Sequence, residues 1–72
     1  MDKYKSDFIK EEDMRIDLRQ RYIGDDVIRI VEIKHLPSGF VASSEDKSQL
    51  KAYNEALIAL EDMINSFINS HA

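Results

Sequence analysis

Two histidines, His35 and His71, are the residues best suited to proton transfer or metal ligation, and neither has the company such chemistry needs. The chain has no cysteine, no second histidine stands at ligand spacing from His35, and no Ser or Asp around it forms a triad-like pattern. A structural role is expected for His35, and a solvated helix end, where a cation suits the dipole, for His71. Asp25-Asp26 and Glu61-Asp62 are adjacent acids, and adjacent side chains on a strand or helix point in different directions. They are expected to be turn and surface acids rather than an acid–base pair. The two glycines, Gly24 and Gly39, stand alone, so no phosphate loop or dinucleotide fingerprint is present. No catalytic group, cofactor or metal is expected.

One cluster suits binding. Arg15, Arg19 and Arg21 alternate with apolar residues, and on a strand such residues share a face that a phosphate or carboxylate partner can use. The bland alternative is a solvated strand face, which is common. Lys34, His35 and Lys47 join the arginines as candidate binding residues.

The elements that would position these groups follow from periodicity. Met14, Ile16 and Leu18 alternate with Arg15, Asp17 and Arg19, which predicts a half-buried strand over 14–23. Gly24-Asp25-Asp26 breaks the run with a turn. Val27 to Leu36 is rich in Val and Ile, with Val31, Ile33 and His35 on one face and Glu32 and Lys34 on the other, predicting a second strand over 27–36. Leu36-Pro37-Ser38-Gly39 reverses the chain into a third, antiparallel strand over 40–43. Residues 43–48 read as a polar loop holding several potential N-caps. Leu50, Tyr53, Leu57, Leu60, Ile64 and Phe67, widened by Ala56, Met63 and Ile68, then give a helical stripe over 48–69 that must cover the sheet. In the N-terminal stretch, residues 1–12, the Tyr4/Phe8 spacing fits a short helix, and a loose arm is equally open.

The expectation is thus an α+β fold: a three-stranded antiparallel sheet covered on one face by a long C-terminal helix, with residues 1–12 as an arm and 13–72 as the domain. Size agrees, since 72 residues close one modest core. No window reaches the roughly 18 apolar residues of a membrane span, and the lack of cysteine suits a reducing compartment, so the expected location is cytoplasmic. A net charge of -4 disfavours broad attraction to nucleic acid while leaving room for a local basic patch.

The run Val31-Glu32-Ile33-Lys34-His35-Leu36-Pro37-Ser38-Gly39-Phe40-Val41 resembles the strand–turn–strand of the peptide-chain release factor catalytic domain, His-Leu-Pro-Ser-Gly being its specific part. Asp46-Lys47-Ser48-Gln49 resembles that family's entry into its long helix, Ala56-Leu57 its small-then-large pattern, and Asp13-Met14-Arg15-Ile16-Asp17 its first catalytic-domain strand. In that family peptidyl-tRNA hydrolysis depends on a Gly-Gly-Gln loop between the first two strands. Here the segment from Leu18 to Ile30 has one glycine and is several residues shorter, and Gln20 lacks the paired glycines needed to present it. The loop before the helix is one residue short, and Leu50, Ala52, Tyr53 and Glu55 replace a polar, basic surface. What the resemblance implies is a non-catalytic, release-factor-like domain that binds RNA or a ribonucleoprotein and modulates translation or RNA turnover. The alternative is a small acidic inhibitor or antitoxin-like regulator of an RNA-acting enzyme, with a phage origin left open. A homo-oligomer is open under either reading.

Overall fold

The computed structural model describes residues 2–71, with side chains from 2 to 70, so the expectation placed on the His71 side chain falls outside it. Alternation of apolar and charged residues produces strand β1, Met14–Ile23. Gly24 supplies the positive φ, 59°, that a two-residue link to β2, Asp26–His35, requires. At the second reversal Gly39 takes φ 77° and donates its amide to the His35 carbonyl at 2.7 Å. Strand β3, Val41–Asp46, then pairs with β2. The sheet is antiparallel in the order β1-β2-β3.

Strand β3 runs three residues beyond the expected end at 43, because pairing overrides its polar composition. Ser44 lies opposite Val31 and Asp46 opposite Arg29, so the polar run completes a ladder begun by Ala42 opposite Ile33. Ser48 then caps helix α1, Gln49–His71, accepting the Lys51 amide on its hydroxyl at 3.2 Å.

Helix α1 packs over β2 and β3. Tyr53, Leu57, Leu60 and Ile64, with Ala52 and Ala56 allowing close approach, meet Val31, Ile33 and Ala42 in one core. Phe67 packs edge-on against Phe40 with ring centroids 5.5 Å apart, while Met63 and Ile68 are exposed rather than widening the stripe. The N-terminal stretch is extended, not helical at Tyr4 and Phe8, apart from a single 3-10 turn at Glu11–Asp13. It buries Ile9 in the core and is tied to α1 through the Tyr4 amide, which donates to Asn54 Oδ1 at 2.8 Å. No helix among the described residues is long and apolar enough to cross a membrane.

Candidate binding face

Directly opposed residues of an antiparallel pair share a face, so the register assigns every strand side chain. Val31 and Ile33 face the helix, and with them go Met14, Ile16, Leu18, Gln20 and Tyr22 of β1. Arg15, Asp17, Arg19 and Arg21 therefore point to the other face, together with Lys34, Glu32, Ile30 and Ile28 of β2 and Val41, Ser43 and Glu45 of β3. No described element covers that face. The structure thus brings together four of the sequence candidates: Arg15, Arg19, Arg21 and Lys34.

Their electrostatic states differ. Arg19 donates to Glu32 at 3.3 Å and Arg21 to Glu45 at 2.9 Å, both diagonally across the sheet. Arg15 and Lys34 stand directly opposite one another, both exposed, and neither has an ion pair among the described residues. Like charges placed so cost stability, a cost that an anion bridging the pair would relieve. The face is close to balanced, since Arg15, Arg19, Arg21 and Lys34, with Lys47 reaching Asp26 at its far end, stand against Asp17, Asp26, Glu32 and Glu45. Its strand residues include no aromatic ring on which a base could stack.

The two remaining candidates lie elsewhere. His35 is on the helix side of β2, and its Nδ1 lies 2.7 Å from the Ser38 hydroxyl, inside the turn. Ser38 also accepts the Phe40 amide at 3.2 Å, so His35 helps to close a reversal and does not line the arginine face. Lys47 follows β3 and pairs with Asp26 at 3.4 Å, at the far end of the face from Arg15 and Lys34.

One acid departs from its expected surface role. Glu61 is buried, with 8% of its surface exposed, and accepts hydrogen bonds from the Tyr4 hydroxyl and from the Ser6 hydroxyl, the latter at 2.7 Å. Its position four residues after Leu57 places it on the core side of α1, where the arm supplies the donors that a buried carboxylate needs. The Tyr4 phenol is held above its usual range by that hydrogen bond, by desolvation and by the Glu61 charge. This is a structural clasp, in which each Glu61 carboxylate oxygen accepts one hydroxyl of the arm.

Among the described residues no group of His, Asp and Glu side chains is arranged to hold a metal ion. No family model matches the sequence, and neither a curated protein nor a solved structure matches it.

Proposed function

We propose that this chain is a non-catalytic, release-factor-like binding domain that docks on RNA or a ribonucleoprotein through the open face of its sheet and so modulates translation or RNA turnover. The observation that supports it is the Arg15–Lys34 doublet, two exposed cations held side by side without an acid between them. A phosphate is the simplest group that satisfies both. Because the face lacks aromatic rings, recognition would run through the backbone and carry little base preference. With Arg19 and Arg21 retained by their acids, the doublet supplies the contacts. The salt slope for a single strand is then shallow, roughly -0.7 for one phosphate bridging the doublet and roughly -1.4 for one phosphate on each cation.

A second reading, a small acidic regulator that docks on an RNA-acting enzyme, is favoured by the charge balance of the same face. Mixed charge around Ile28, Ile30 and Val41 suits the polar rim and apolar centre of a protein interface. Affinity capture from the native host, with and without ribonuclease, separates the two. Loss of the captured partner on ribonuclease treatment supports RNA, and survival supports a direct protein complex. A folded R15A/R19A/R21A variant that captures as well as the parent removes this face from both readings.

A further inference from the structure

Strand β1 is an edge of the sheet along ten residues, and its helix-side face is left largely open beyond Met14, because α1 packs mainly on β2 and β3. Leu18 is 55% exposed and Tyr22 71%, and Ile16 and Leu18 floor a groove of about 450 Å³ walled by Leu50 and Tyr53. A long edge with apolar side chains and unpaired backbone groups is a template for another strand. We propose that its occupant is a second copy of this chain, paired antiparallel through β1 about a two-fold axis at Leu18. The resulting sheet has six strands with both helices on one side.

The strand is complementary to itself in this register. Opposed residues then have numbers that sum to 36. Leu18 meets Leu18 of the second copy, Met14 meets Tyr22, and Asp17 meets Arg19 twice. Asp17 needs such a partner: within its own sheet it stands opposite Glu32, and it has no ion pair among the described residues. The register also sets Arg15 opposite Arg21 and Ile16 opposite Gln20; Arg21 keeps Glu45 as its partner, and Arg19, held by Glu32 within its own sheet, gains Asp17 as a second carboxylate. Shifting the axis to Asp17 opposes two acids, and shifting it to Arg19 opposes two arginines and sets Leu18 against Gln20. The register at Leu18 alone pairs the central leucines. Arg19 belongs to both surfaces, so the two readings are separated at Arg15 and Asp17: R15A removes the doublet of the open face and leaves the Asp17–Arg19 pairs, whereas D17R breaks those pairs and leaves the doublet.

The test uses the full chain. The parent should sediment as a dimer that dissociates on dilution. D17R and R19D each replace two attractions by two repulsions and should weaken association roughly 10- to 100-fold. Mixed in equal amounts, the two variants should form a heterodimer, because both arginines of the D17R copy then face the two aspartates of the R19D copy. Far-UV circular dichroism establishes that each variant is folded. An L18C variant, in a chain otherwise free of cysteine, should form a disulfide-linked dimer on mild oxidation, since opposed strand residues lie within disulfide reach. Q20C should not. A parent that stays monomeric at millimolar concentration, variants that do not pair on mixing, or cross-linking through Q20C but not L18C would each overturn the proposal.

Discussion

The hydroxyl of Tyr4 donates to the carboxylate of Glu61, joining residues 57 positions apart and fastening the N-terminal stretch along the helix. Tyr4 and Ser6 together give a buried charge its partners, while Ile9 seats beside them in the core. The arm is therefore part of the packed domain, although its local sequence specifies no regular structure.

The clasp has a pH dependence whose sign follows from the phenol. The Tyr4 pKa in the folded chain is raised above its ordinary value of 10.0, so the neutral phenol is the form that folding favours. The contribution is fully present below pH 10.0 and is lost as pH rises through the higher folded value. Ultraviolet titration should show one tyrosine ionising later than a free phenol. Y4F should abolish that late transition and speed hydrogen exchange at the Ile9 amide. Unchanged exchange in Y4F would mean that Ile9 and Asn54 hold the arm without the hydroxyl.

Core packing sets the second expectation. Leu57 and Leu60 are both fully enclosed, and truncating either to alanine removes apolar surface and leaves a cavity. The expected cost is about 2–5 kcal/mol, enough to unfold much of so small a domain. Chemical denaturation measures it, and a cost under about half a kcal/mol would show that the stripe is not the core.

Much of this architecture was legible because hydrophobic period survives folding. The helical stripe from Tyr53 to Ile64 reported a buried face, whereas the alternation at Met14, Ile16 and Leu18 reported a strand but not its burial: Met14 is half-buried and Ile16 and Leu18 are exposed, because α1 packs mainly over β2 and β3. Ser43 to Asp46 carried no such signal: Ser44 and Asp46 point to the helix side yet are polar, Ser44 donating to Glu55 at 2.8 Å and Asp46 accepting the Ser48 amide at 2.9 Å. Their strand conformation is imposed by β2. Glu61 was illegible for a related reason, since its donors come from the other end of the chain. The arginine face was half legible: alternation placed the guanidinium groups together, but the acids that neutralise Arg19 and Arg21 lie on other strands.

The reversal after His35 depends on Gly39, whose φ of 77° lies in the left-handed region, with open space where a Cβ would stand. Alanine should therefore cost backbone strain alone, about 1–2 kcal/mol, and asparagine less. Thermal denaturation of the two variants measures the difference. A cost above about 3 kcal/mol for alanine would point to lost contacts in the His35–Ser38 turn as well as to strain.

The proposed function carries a negative biochemical expectation. The link between β1 and β2 is Gly24-Asp25 alone, too short to hold a loop that positions water at an ester. The isolated protein should release no peptide from peptidyl-tRNA on ribosomes. Release above a no-protein control, in a preparation free of host release factors, would refute the non-catalytic reading.

The arginines of the open face should be dispensable for the fold, which is what lets their removal report on binding. The Arg19–Glu32 pair is 63% and 35% exposed at its side chains and the Arg21–Glu45 pair 52% and 50%, so solvent screens both. Such pairs contribute about 0.2–1 kcal/mol each. Replacing Arg15 works in the opposite direction, because it relieves the repulsion with Lys34 across the strands. The combined R15A/R19A/R21A variant should accordingly lie within about 1 kcal/mol of the parent, a shift in Tm of no more than roughly 4–8 °C for a domain of this size. Circular dichroism melts of the two proteins check this. A much larger loss would show that the arginine stems pack on the open face and carry part of its stability. Capture by the variant would then have to be compared with single substitutions, beginning with Arg15, whose removal leaves every ion pair of the sheet in place.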